Sequence, residues 1–247
     1  MPFLSHQMTN IIDNTNPFPP TSLQDFVFND NLSRTTLEAI LNGTLPFPFM
    51  GKCGFLLWGI YGTGKTTLAT LLPSLLEKAA KLPPSKRINN FREDVFWEVT
   101  PCRTGNNSVS LLNTVDARCK DFKAGSPSGW HYEVLDEVDM LTEQAQLSFK
   151  ATMTHARNTV FILTTNHLNM IDKGIIDRCH LVEMNQPTPA DMLPMAQRIL
   201  SKMGVASGLV TDATLLKCAA DSRGSLRDFG SVVAIYGIQA GGALPTA

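Results

Sequence analysis

The chain has 247 residues, 43% hydrophobic and 17% charged, with 21 lysines and arginines against 22 aspartates and glutamates and a net charge of -1. That leaves ample material for one large core or two small ones, and it excludes disorder over most of the chain and a globally basic, histone-like nucleic-acid binder. No apolar run approaches the roughly 18 residues of a spanning helix, and Met1-Pro2-Phe3-Leu4-Ser5-His6 lacks a basic region ahead of an apolar core. The expected setting is cytoplasmic, with no membrane partner.

Residues 1–20 are rich in Asn and Pro and end Asn16-Pro17-Phe18-Pro19-Pro20. Each proline removes a donor and restricts its predecessor, so an extended arm is expected. A short helix follows around Leu32 to Leu41, then a Pro/Gly turn from Gly43 to Gly51. Apolar runs at Phe55–Gly59, Val95–Thr100, Tyr132–Asp136, Val160–Thr165 and Leu181–Met184 alternate with helical stretches at Thr66–Lys81, Ser108–Phe122 and Thr142–Ala156. That alternation predicts an α/β domain over 21–186, with a parallel five-stranded sheet covered by helices on both faces. Pro73 falls inside the first of these helices and is expected to kink it.

After Asn185-Gln186-Pro187-Thr188-Pro189 no strand pattern returns. Met192, Met195, Ala196, Ile199 and Met203 keep helical spacing, as do Leu215, Leu216 and Ala219. A third helix starts at Ser225, with Asp228 as its capping-box partner. A small all-helical domain over 187–247 is expected. The five cysteines (Cys53, Cys102, Cys119, Cys179 and Cys218) form no CxxC pair. A zinc site drawn from Cys102, Cys119 and His131 lacks ligand spacing, and reduced thiols are the simpler reading.

The most specific signal is Gly59-Ile60-Tyr61-Gly62-Thr63-Gly64-Lys65-Thr66, which fits GxxxxGK[ST] between the apolar Phe55-Leu56-Leu57-Trp58 and a helical stretch. Glycines let backbone N–H groups converge on a polyphosphate, and a helix N-terminus adds favourable partial charge. Gly59, Tyr61, Gly62, Thr63, Gly64, Lys65, Thr66 and Thr67 are therefore candidates to bind ATP. Lys65 would reach the β- and γ-phosphates, and the Thr66 hydroxyl would ligate Mg²⁺. A second element is Tyr132-Glu133-Val134-Leu135-Asp136-Glu137, an apolar run ending in two acids. Asp136 is the candidate metal ligand and Glu137 the candidate base for water, with Asp139 a third carboxylate nearby. A charged turn after a strand is the bland alternative.

Three further pieces follow in order: Val160-Phe161-Ile162-Leu163-Thr164-Thr165-Asn166, then Ile176-Asp177-Arg178-Cys179, then Gly224-Ser225-Leu226-Arg227. With the phosphate loop and the acidic pair, the series resembles the AAA+ ATPases, and more narrowly the clamp-loader subunits of the replication factor C small-subunit type. The resemblance runs from about Pro17 to Gly241. It implies a P-loop AAA+ fold with a helical lid, and ATP hydrolysis in an assembly of neighbouring AAA+ subunits, identical or not. It also implies action on DNA, with a sliding clamp or a helicase as client.

By the same resemblance Asn166 is a first sensor beside the γ-phosphate and Arg227 a second sensor reaching from the lid. Arg178 resembles the arginine finger acting on ATP bound by the neighbour. The family form of that motif is Ser-Arg-Cys, and Asp177 replaces the serine here. Phe26-Val27-Phe28 falls where relatives line the adenine pocket, and Thr100 where a polar residue restrains the catalytic glutamate. Structural alternatives stay open: Asn166 as a loop cap, Arg178 paired with Asp177, Arg227 paired with Asp228. Clamp-loader subunits also carry a helical collar, for which the sequence after the lid leaves no room, so assembly is expected to rest on the ATPase modules, a partner or nucleic acid. A helicase loader or transposition regulator is the alternative, then a protein-remodelling ATPase or a nucleotide-gated adaptor. Residues 102–110 lack the aromatic of a threading loop, and intact Lys65, Asp136, Glu137 and Asn166 argue against the adaptor.

Overall fold

A computed structural model describes residues 16–28, 30–80, 97–103, 105, 107–120, 126 and 128–245. Five strands alternate with helices: α1 (Asn31–Leu41), β1 (Gly54–Trp58), α2 (Lys65–Ala79), β2 (Trp97–Pro101), α3 (Val109–Lys120), β3 (His131–Asp136), α4 (Glu143–His155), β4 (Thr159–Thr165), α5 (Lys173–Asp177) and β5 (Cys179–Glu183). Three helices follow, α6 (Pro189–Lys202), α7 (Asp212–Asp221) and α8 (Leu226–Gln239). The sheet is ordered β2-β3-β4-β1-β5 and its pairs are parallel. Parallel strands need crossovers, and helices supply them, so both sheet faces are covered.

The central strands show why. All seven residues of β4 are buried, and Phe55, Leu56 and Leu57 of β1 are fully so. Alternate side chains feed two separate cores. Phe55 and Leu57 join Leu37, Leu68 and Leu72 on one face, while Leu56, Phe161 and Leu163 meet Leu112, Val115 and Phe149 on the other. Phe149 meets Phe161 edge-on at 5.4 Å, the arrangement that aromatic quadrupoles favour.

Helices α6 to α8 share a third core of Met192, Ala196, Ile199, Met203, Leu215, Ala219, Phe229 and Val233. Helix α6 opens on a full capping box between Thr188 and Asp191, with Pro189 where its missing N–H costs nothing. Phe18, expected on an extended arm, is buried in this helical core. Residues 1–15 of the expected arm lie outside the described residues, as do Lys81, Val95 and Phe122.

Helix α2 runs from Lys65 to Ala79 with Pro73 inside it, as the helical stretch from Thr66 predicted, but one local expectation needs correction. At α8, Ser225 caps the Asp228 N–H at 3.2 Å, but its own N–H donates to the Ser222 carbonyl, so only half of the capping box forms.

Candidate nucleotide site

At the carboxyl end of β1 the chain turns sharply into α2. Gly59 has φ 149°, and a Cβ there would lie 2.2 Å from the Met184 carbonyl oxygen. At Gly62, with φ 78°, a Cβ would lie 2.7 Å from Ser225 Oγ. Both positions therefore demand glycine. Helix α2 starts at Lys65 with no side chain capping it, which leaves its first N–H groups open to an anion.

Lys65 is 7% exposed, and its ammonium donates to the loop's own Gly59 and Ile60 carbonyls at 2.9 and 2.6 Å. Burial lowers its pKa to about 8 against the opposing pull of Asp136, Asp139 and Glu137. Asp136 Oδ1 accepts from Thr66 at 2.8 Å and from Thr164 at 2.6 Å. The Thr164 hydroxyl also accepts the Glu137 N–H at 2.9 Å, so one threonine aligns both acids. Glu137 takes a left-handed conformation, φ 60°, which costs a side-chain-bearing residue roughly 1–2 kcal/mol and turns its exposed carboxylate out of the strand line.

Thr66 and Asp136 offer hard oxygen ligands of the kind Mg²⁺ takes. Nearby, Asp139 is 6% exposed with Oδ1 lacking a hydrogen-bond partner among the described residues. A buried orphan carboxylate oxygen costs free energy unless a cation or a water relieves it. The donor set therefore fits the ion.

Asn166 follows β4, which lies between β1 and β3, and the register pairs Trp58 with Thr165. The Gly59 N–H donates to Thr165 O at 3.3 Å, which sets the half-buried Asn166 beside the phosphate loop. On the same side, exposed Tyr61 meets His167 edge-on at 6.4 Å. From the helices after β5, the Leu226 N–H donates to Gly62 O at 2.9 Å and docks the start of α8 on the loop. A cavity of about 470 Å³ opens there, lined among others by Phe26, Gly62, Gly64, Thr67, Arg198 and Arg227. Phe26, Val27 and Phe28 all line an adjoining cleft against α6. Tyr61, Thr63, Lys65, Thr66, Thr67, Asp136, Glu137, Asn166 and Arg227 are thus gathered at one sheet edge.

Arg178 is not among them. It stands at the amino end of β5, where Cys179 pairs with Gly54, and donates to Gly174 O at 2.7 Å and Thr154 Oγ1 at 3.1 Å rather than to Asp177. Five residues of β1 separate that end from Gly59, roughly 16 Å at strand rise. Thr100 is turned elsewhere too: its hydroxyl accepts from Arg118 at 2.8 Å, and Arg118 holds the buried Glu133 with two further bonds.

Sequence reasoning missed Thr164 and Arg198. Thr164 carried a faint signal, a hydroxyl closing an otherwise apolar strand. Arg198 of α6 pairs with Asp25. Burial works to raise the Asp25 pKa, but the Thr21 and Ser22 N–H groups and Arg198 outweigh it and hold the carboxyl down to about 2. The drawn zinc set does not form. Cys119 and His131 group with Glu133 instead, and Cys102 is not part of that group. Glu133 is already saturated by Arg118 and His131, and burial lifts the Cys119 thiol to about 12, conditions that disfavour a cation.

No family model matches the chain. A replication factor C small subunit of Halobacterium salinarum is 38% identical over 172 residues, 68% of this chain and 46% of that protein. Mouse replication factor C subunit 3 is 27% identical over 177 residues, 63% of this chain and 49% of the relative. The chain spans about half the length of these relatives. Among solved structures, the Thermotoga maritima RuvB Holliday junction branch migration motor aligns with a TM-score of 0.64 at 18% identity, covering 89% of this chain and 65% of that one. That likeness speaks for the fold alone. The strand order, the glycine loop in its strand-to-helix setting and these likenesses converge: the chain has the P-loop AAA+ ATPase fold, and its sequence resembles the clamp-loader small subunits of replication factor C.

Proposed function

We propose that this chain is an ATPase whose active site is completed by a neighbouring subunit, and that it acts on DNA in the manner of a clamp loader. The observation that carries this reading is the split in the catalytic set. Lys65, Thr66, Asp136, Glu137 and Arg227 converge at the carboxyl edge of the sheet, while Arg178 stands at the amino end of β5. That separation from its own phosphate loop supports a role for Arg178 in a neighbour's site.

In this reading residues 21–186 form the nucleotide-binding domain and 187–247 the lid. ATP lies across the cavity between phosphate loop and lid, its base near Phe26, Val27 and Phe28. Lys65 exchanges the Gly59 and Ile60 carbonyls for phosphate oxygens, a better partner for a buried cation. Thr66 and Asp136 would hold Mg²⁺, which would supply charge neutralisation at the phosphates. Glu137 takes the proton of a water that Asn166 orients, and Arg227 reads the nucleotide from the lid. Arg178 of the neighbour stabilises the charge that develops as the γ-phosphate departs.

The DNA part rests on the relatives, the replication factor C subunits and a DNA polymerase III subunit gamma of Buchnera aphidicola that is 25% identical over 223 residues. A sliding clamp or a helicase is the client this implies. Glu137→Gln tests the chemistry. It keeps the shape and removes the base, so ATP binding should persist while hydrolysis stops. Unchanged turnover would remove Glu137 from its role.

A further inference from the structure

At the amino edge of the sheet, three consecutive residues tie down three consecutive carbonyls. The Cys53 and Gly54 N–H groups both donate to Arg178 O, at 2.9 and 3.2 Å. Lys52 Nζ donates to the carbonyls on either side, Asp177 O at 3.0 Å and Cys179 O at 2.8 Å. The turn that carries Arg178 is thus clasped from its neighbour strand, with Lys52 supplying both outer bonds.

The segment presenting Lys52 is built for the purpose. Phe49 and Lys52 close a two-residue turn through an antiparallel bridge, and its central residues Met50 and Gly51 have φ of 49° and 80°. A methionine in the left-handed region is unfavourable, and Met50 gains no burial in return, being 85% exposed. Upstream, Phe47 anchors the loop by packing on Phe55 at 4.7 Å and on His180 at 5.9 Å. The Arg178 guanidinium is held separately, by Gly174 and Thr154, beside the Lys150–Asp172 ion pair. Side chain and backbone of the arginine are therefore each fixed, from different elements.

We propose that Lys52 is a positioning residue for Arg178, holding the turn so that the guanidinium meets ATP bound by the neighbouring subunit. The proposal rests on the reading above that Arg178 works in trans. Lys52 reaches no phosphate itself. It acts by fixing the backbone of residues 177–179, and β1 then runs from this clasp directly into the phosphate loop of its own subunit. A displacement of about 1 Å in such a group costs on the order of 100-fold in rate.

The test is complementation between full-length chains at a concentration where turnover per chain has levelled off. A Lys65→Ala chain has a finger and no pocket, and an Arg178→Ala chain a pocket and no finger; mixed, they should recover ATP turnover. Adding Lys52→Met to the Lys65→Ala chain should lower the recovered kcat at least tenfold, with KM unchanged because the binding pocket belongs to the other chain. Lys52→Arg in its place should restore most of the rate, since it keeps donors at that position. A melting temperature of the Lys52→Met chain close to its parent's separates positioning from loss of fold. If the Lys52→Met chain recovers turnover as fully as its parent, or if the lost rate follows unfolding, the Lys52 proposal is overturned while action in trans stands. If the first mixture recovers nothing, action in trans fails, and the role of Lys52 with it.

Discussion

The two ends of the sheet are finished in different ways. At the carboxyl end groups are left to exchange partners: Lys65 rests on its own loop's carbonyls, Asp139 has an oxygen without a partner among the described residues, and Glu137 turns an exposed carboxylate outward. At the amino end Arg178 is fixed through backbone and side chain by Lys52, Cys53, Gly54, Gly174 and Thr154. One end is arranged to receive a ligand and rearrange. The other holds a single guanidinium in a fixed place, as the proposed role in a neighbour's site requires.

Substitutions separate the ends. Arg178→Ala should reduce turnover on the order of 10³-fold or more, while ATP affinity, read by nucleotide fluorescence, changes little. Glu137→Gln should cost about 10²- to 10⁴-fold in turnover with affinity retained, which places chemistry at one end and its trans support at the other. An equal loss of ATP affinity in both variants would erase the contrast.

Lys65 sharpens the comparison through pH. Its pKa is lowered to about 8, so the cation is lost as pH rises through that value. Phosphate favours the charged form, so ATP binding should take up protons near pH 8 and weaken up to about tenfold per unit above it. Calorimetry in buffers of different ionisation enthalpy measures that uptake, and Lys65→Arg should abolish its pH dependence.

Two stability effects lie away from both ends. Arg118→Ala strands the buried Glu133 and should cost about 3 kcal/mol in denaturant unfolding. Asp25 has a lowered pKa, so its contribution is complete above pH 4 and is lost as pH falls towards about 2. Asp25→Asn should remove roughly 1–2 kcal/mol at pH 7 and flatten the acid limb of the stability profile.

Much of this was legible in the sequence, and the reasons are local. The phosphate loop is contiguous and its glycines answer to backbone geometry. The five strands read as apolar runs because a parallel sheet buries both faces. Strand ends placed Asp136, Glu137 and Asn166 by register alone. What stayed hidden depends on contacts between distant segments. Thr164 aligns two acids 27 and 28 residues away, and Lys52 reaches carbonyls 125 and 127 residues on. The pairing of Thr100 with Arg118, rather than with Glu137, was equally beyond a spacing argument. Phe18 reads as arm by its prolines, yet its ring has a helical core to enter.

The most direct measurement of the shared site is ATP turnover per chain across protein concentration, with and without DNA, for the native chain and Arg178→Ala. A shared site predicts turnover that rises steeply with concentration, rises further with DNA, and stays low and flat in the variant. Turnover per chain that is constant down to the lowest concentration, and equal in the variant, would contradict it.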